Sequence, residues 1–325
     1  MRTRVVAYLV TLWIVLSLNF LLPRLLPGEP LSALLDPESS DYVFSAEVRA
    51  ALEAYYGLDR PLPAQYFAYL KGAVTGDLGR SIRLNQPVAK LLAAHLPWTL
   101  LLTGTALGLA SLSGLLGGAE AAWKRGSLAD RLLTVTSVVA GNAPVYFVGM
   151  MLLIFLGAKL GWLPLAGGRT PFAHYDGPLA AVADVGRHLI LPTLTLTLSL
   201  LGIQFLLVRN NLVSILGEEF MLVARAKGLR PARLKWNHAL RNALLPFVAH
   251  LAAHAGLAIT GAVFIETLFQ YPGMGRLIFE AVGARDYPVI QGVFLVVSAA
   301  VLTANLLADW LNGRLDPRLA EEVGR

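Results

Sequence analysis

The most metal-like feature of this sequence is the pair His250 and His254, which an i,i+4 spacing places on one face of a helix. Neutral imidazoles so placed can share a cation, yet two ligands do not close a site that needs three or four. The pair therefore reads as passage lining or interhelical hydrogen bonding, with no metal and no cofactor. Glu266 is the next candidate, because a carboxylate in an apolar run costs about 2.5–3.5 kcal/mol at mid-membrane and less near the surface. It faces a partner or a passage, or else snorkels at an interface. Asn142 and Pro144 interrupt one apolar run and Gln204 another. A proline frees a carbonyl and bends its helix, so these three are candidates for gating or passage lining, or for polar packing between helices.

Catalytic constellations are missing. The sequence contains no Gly-x-x-x-x-Gly-Lys-Ser/Thr phosphate loop, no His-Glu-x-x-His and no Gly-x-Ser-x-Gly. It has no cysteine, which removes disulfides, thiolate nucleophiles and thiolate-held metals. The chain is read as a non-enzyme.

The elements that must carry these residues are set by composition. Of 325 residues 56% are hydrophobic and 15% charged, against roughly a quarter charged in soluble domains. The +6 net charge is not gathered on a polar face, so nucleic acid is not the partner it suggests. Charges fall between apolar runs of about 18 residues or more, the length of a membrane-crossing helix. Six such runs are expected: Val5–Leu22, Leu96–Ala119, Leu132–Gly157, Leu189–Val208, Ala243–Phe264 and Val289–Trp310. The first ends in Leu-Pro-Arg-Leu-Leu-Pro and lacks a small-residue cleavage site, which favours a retained span over a signal peptide.

Basic residues are denser in the pieces 1–4, 120–131, 209–242 and 311–325 than in the longer alternate pieces. The positive-inside rule then puts both termini in the cytoplasm. The expected fold is all-α and polytopic: an N-terminal span (1–27), an outer helical insertion (28–94), a core (95–311) and a tail (312–325). In the insertion, Ser45 can cap a helix that Gly57 ends, Pro63–Leu70 forms a second helix stopped at Gly72, and Pro87 opens a third. In span two, Gly104-x-x-x-Gly108 and Gly114-x-x-x-Gly118 permit tight helix crossings.

The largest basic block, 209–242, holds Arg209, Arg225, Lys227, Arg230, Arg233, Lys235 and Arg241. Its first half, Leu216–Leu229, reads as a helix stopped by Gly228 and Pro231. Arg225 and Lys227, two residues apart, point to nearly opposite sides. Ala224, Ala226 and Gly228 form a small-residue edge that another backbone could approach. Residues 232–242, with Trp236, read as an interfacial helix feeding span five. On physical grounds alone the block is a docking loop or an ordinary positive-inside loop.

Ala224-Arg225-Ala226-Lys227-Gly228-Leu229, followed by His238-Ala239-Leu240-Arg241-Asn242 and Pro246, resembles the EAA loop of binding-protein-dependent ABC importer permeases, within the dipeptide, oligopeptide and nickel branch. Arg24-Leu25-Leu26-Pro27-Gly28-Glu29-Pro30, Tyr56-Gly57-Leu58-Asp59-Arg60-Pro61-Leu62, Gly76-Asp77-Leu78-Gly79-Arg80-Ser81, Glu266-Thr267-Leu268-Phe269, Pro272-Gly273-Met274-Gly275, Arg285-Asp286-Tyr287-Pro288 and Leu315-Asp316-Pro317-Arg318 extend the resemblance along most of the chain. Leu222 stands where the loop's acidic residue would be, and Val223 where a polar one is common.

The resemblance implies an inner-membrane permease subunit, not a stand-alone ion-driven secondary transporter. It implies a second homologous permease, two cytoplasmic ATPase subunits that receive the 224–228 segment, and an external solute-binding protein. Peptide, nickel and oligosaccharide are the substrates implied for the branch, peptide first.

Overall fold

The computed structural model describes residues 2–25, 31 and 46–315, with the side chains of 2–7, 9, 46, 245, 249, 252–260 and 308–315 outside that description. Every regular element in it is helical; one isolated bridge joins Arg80 to Pro87. Two compact units divide the chain, residues 1–99 with 272–300 and residues 100–271 with 301–325.

The first unit contains α1 (Arg2–Leu25), α2 (Ala46–Tyr56), α3 (Leu62–Thr75), the start of α4 (Val88–Trp123), α11 (Met274–Gly283) and the first half of α12 (Tyr287–Leu315). Helices form at the expected places between residues 46 and 95, and α2 ends at Gly57 in the left-handed region as its residue type allows. Ser45 lies outside the described residues. The second stop is Gly76, not Gly72: Gly76 caps α3 at φ 79°. Gly72 serves instead as a close approach, since a Cβ there would lie 2.4 Å from the Asp77 carbonyl oxygen. Val88, Leu91 and Leu92 of α4 pack on Met274, Leu277 and Ala281 of α11 and on Val289, Ile290 and Val293 of α12. Asp286, just ahead of α12, is buried and accepts from Ser81 Oγ (2.5 Å) and Arg83 N (3.1 Å), which fixes the 80–87 turn.

The second unit is built around α7 (Pro178–Leu216), a 39-residue helix. It runs past the expected span and past Arg209, because no breaker intervenes before Gly217. Glycines let its neighbours close on it. A Cβ at Gly114 or Gly118 of α4 would meet the α7 backbone at 3.0 Å or less, and one at Gly141 of α5 would lie 2.7 Å from Gly202 Cα. Gly104 and Gly108 have open space instead.

The expected third span is not a single helix. α5 (Leu128–Asn142) and α6 (Val145–Leu152), which widens into π-type turns over Leu153–Lys159, meet at 101°. Pro144 disfavours α geometry in the residue before it, and Ala143 is extended at ψ 137°. Among the described residues three helices are long and apolar enough to cross a membrane, α4, α7 and Tyr287–Leu307 of α12, or four if the bent pair counts as one. Val10–Leu25 is a shorter apolar helix.

Candidate functional site

The segment joining α7 to α10 (Arg241–Leu268) is a series of short turns whose breaks are written in its residues. Gly217 closes α7, and Glu218 is extended (φ −72°, ψ 150°), so the chain leaves the α7 axis before α8 (Glu219–Ala226) begins. Gly228, at φ +71°, ends that helix in a conformation only glycine adopts without strain. Arg230 is extended ahead of Pro231. Pro231–Arg233 forms one turn, α9, and Leu234–Leu240 a π-type stretch that leads directly into α10.

Met221 and Ala224 of α8 point inward, onto Val208 and Leu212 of α7, Ala119 and Ala122 of α4, and Leu234, Ala239 and Leu240 of the π-type stretch. Phe220, Leu222, Val223, Arg225, Ala226, Lys227 and Gly228 are exposed. The expected small-residue edge is therefore divided. Ala224 is 7% exposed and belongs to the chain's own core, while Ala226 and Gly228 face outward. Two residues on a helix differ by about 200° in direction, which separates 224 from 226, and Gly228 already lies beyond the helix end. Arg225 and Lys227 are both exposed. Beside α8 runs an open groove of about 480 Å³ lined by Phe220, Val223, Ala224, Lys227, Leu229, Arg233 and His238.

Two carboxylates on either side of the turn from α4 to α5, Glu120 and Asp130, hold the elements that flank α8: Arg209 of α7 and Lys235 of the π-type stretch. Asp130, buried, accepts from Arg209 through both oxygens, Nε to Oδ1 at 2.7 Å and Nη2 to Oδ2 at 2.9 Å. The amide of Gly126 adds a third bond at 2.9 Å. The Arg209 guanidinium holds the Asp130 carboxyl well below the usual carboxylate range, and Asp130 in return raises the pKa of Arg209. Glu120 pairs with Lys235, which is buried in the π-type stretch, and with Lys124 at 2.9 Å. These two cations, Lys235 foremost, lower the Glu120 pKa to about 2. Sequence reasoning missed Glu120 and Asp130. Their signal was two acids in a short turn otherwise marked by Lys124, Arg125 and Arg131.

The candidate passage residues lie on other elements. Asn142 and Pro144 sit exposed at the break between α5 and α6, and Asn142 Nδ2 donates to the Val138 carbonyl (2.8 Å). Gln204 of α7 is buried beneath Gly114, and its Oε1 has no hydrogen-bond partner among the described residues. Glu266, near the end of α10, is fully buried, and its carbonyl accepts from Tyr271 N at 2.7 Å. His250 is half-buried in α10, and the side chain of His254 lies outside the described residues. None of the five described residues lines the groove beside α8.

Known proteins share this pattern. A permease protein of the di/tripeptide transport system of Pseudomonas aeruginosa, DppB, is 35% identical over 318 residues, covering 94% of both chains. The glutathione transport system permease protein GsiC of Escherichia coli K12 is 34% identical over 316 residues and 97% of both. A candidate peptide permease protein of Brucella ovis is 38% identical over 303 residues, 93% of this chain and 92% of its own. Residues 114–321 match the family model described as the inner membrane component of binding-protein-dependent transport systems, and they contain the α7–α10 segment and both carboxylates that hold it. With more than half its length matched and relatives aligned nearly end to end, this multi-pass chain belongs to that family and is a permease subunit of an ABC importer.

Proposed function

We propose that the chain forms half of a peptide importer's translocation pathway and that α8 is the part that docks on an ATPase subunit. The observation that carries this is the division of α8. Met221 and Ala224 root it in the chain's own core while Phe220, Leu222 and Val223, apolar residues, stay exposed, as do Arg225 and Lys227. A short helix fixed from behind and apolar in front suits insertion into a partner's groove. Gly228 then serves chiefly to turn the chain out of that helix.

The rest of the reading is six spans, with α5 and α6 as a broken third, and both termini cytoplasmic as the basic residues favour. The assembly is two homologous permeases, two ATPase subunits and an outer solute-binding protein. The di/tripeptide, glutathione and peptide transport named for the relatives favours a short peptide as solute. Asn142, Pro144, Gln204, His250, His254 and Glu266 are the candidates to line or gate the passage.

A natural sequence without cysteine makes the test direct. Ala226→Cys, carrying the only thiol in this chain, is expected to cross-link to a co-purified ATPase subunit and to react with impermeant thiol reagents only from the cytoplasmic side. Uptake of a radiolabelled dipeptide into vesicles should require ATP and persist when ion gradients are collapsed. Outer-side labelling would overturn the topology, and gradient-driven uptake by the lone chain would overturn the importer reading.

A further inference from the structure

Arg209 of α7 and Lys235 of the π-type stretch lie on either side of α8, and both are held from the 120–130 turn, the link between α4 and α5 together with the helix ends that flank it. Asp130 grips the first in a bidentate pair and Glu120 the second. We propose that the 120–130 turn is a brace for the docking segment, with Asp130 and Glu120 as positioning residues that carry motion of α8 into α4 and α5. This rests on α8 being the ATPase-docking element.

The geometry favours a mechanical role over a decorative one. Glu120 lies within α4, whose last residue is Trp123, and Asp130 lies in the first turn of α5, capped by Ser127, whose Oγ accepts from Asp130 N. Each carboxylate is thus rigidly joined to a long helix. Asp130 has a further hold on the turn through Gly126 N. The pairs span 79 and 115 residues of sequence, so neither is an incidental neighbour on one helix. Between them the apolar cluster of Met221 and Ala224 supplies cohesion without direction, whereas a bidentate guanidinium–carboxylate pair fixes orientation. A push on α8 therefore reaches α4 and α5 through its own apolar root and through two fixed points on the elements that flank it, Arg209 of α7 and Lys235 of the π-type stretch.

The test is the number of solute molecules imported per ATP hydrolysed by the complete importer in proteoliposomes. Asp130→Asn, Arg209→Ala and Lys235→Met are each expected to leave the ATPase subunits co-purifying while this ratio falls at least about fivefold, the low end of ordinary coupling between sites. The double exchange Asp130→Arg with Arg209→Asp should restore much of it. Arg209→Lys keeps the charge but loses the fork, and should give an intermediate ratio; it serves if harsher variants fail to assemble. An unchanged ratio in assembled Arg209→Lys and Lys235→Met importers overturns the brace. So does a fall in uptake and ATP hydrolysis in strict proportion to protein recovered. Failure of Ala226→Cys to cross-link in the otherwise unaltered importer refutes the docking reading itself; an intact cross-link with an unchanged ratio refutes the brace alone.

Discussion

Two aspartates, each about as buried as the other, solve the same problem with different partners. Asp286, in the first unit, is satisfied by neutral donors, the Ser81 hydroxyl and the Arg83 amide. Asp130, in the second, is satisfied chiefly by the Arg209 cation. Neutral donors that belong to a turn secure that turn and leave little behind if the carboxylate is lost. A charged partner from a distant helix makes the acid and the base dependent on each other, because either one alone is a largely buried charge without its counter-charge. The first region is pinned by neutral donors and the second by two charges that depend on each other.

The comparison breaks most readily at Asp130. Asp130→Ala should destabilise the protein by about 3–5 kcal/mol, since it strands the Arg209 guanidinium. Asp286→Ala, which strands neutral donors, the Ser81 hydroxyl and the amides of Arg83 and Val289, should cost about 1–3 kcal/mol. Thermal unfolding of the two variants in detergent gives the order, and an equal loss would remove the distinction between the regions. Gly141→Ala comes next, at about 1–3 kcal/mol of overpacking, because its Cβ would meet the Gly202 backbone, which cannot turn aside. The counterpart in the first unit, Gly292→Ala, meets a Val88 methyl at 2.6 Å and should cost less than Gly141→Ala in the same assay.

Gly228→Ala should cost about 1–2 kcal/mol, the penalty of a left-handed residue, because open space surrounds its Cβ position. Gly228→Trp adds bulk on the exposed side, so transport per ATP should fall further in the tryptophan variant than in the alanine one. The smallest effect is that of pH on Glu120. Its folded pKa is depressed, so the stabilisation by Lys235 and Lys124 is fully present above the ordinary carboxylate range near 4.5 and is lost as pH falls through about 2. Melting temperatures of the parent and Glu120→Gln should therefore differ by the same amount at pH 8 and pH 6, and a gap that closes at pH 6 would mean the pair is not formed.

Much of the 209–242 segment was legible residue by residue. Gly228 and Pro231 are local breakers, and the helix ends ahead of them as their types require; its expected start at Leu216 is wrong, because Leu216 still belongs to α7 and Glu218 is extended before α8 begins. The bend at Pro144 was legible for the same reason, although its 101° is not a property of proline alone. Ala224 was placed on an outward edge because sequence spacing says which residues share a face but not which face meets the core. Gly72 read as a stop because glycine ends helices and also permits close contact, and only the position of the Asp77 carbonyl separates the two uses.

What the sequence determined by itself was whatever depends on near neighbours or on composition: helices throughout, apolar runs of membrane length, their breakpoints and the motifs that assign the family. Hydropathy and backbone restriction act within a few residues, so they can be read along a line. What only the tertiary structure decided was which polar groups meet. Arg209 with Asp130, Lys235 with Glu120 and the inward turn of Ala224 come from helices brought together across long stretches of chain. A buried charge must find its counter-charge, but the partner is chosen by packing, and packing is not written in the order of residues.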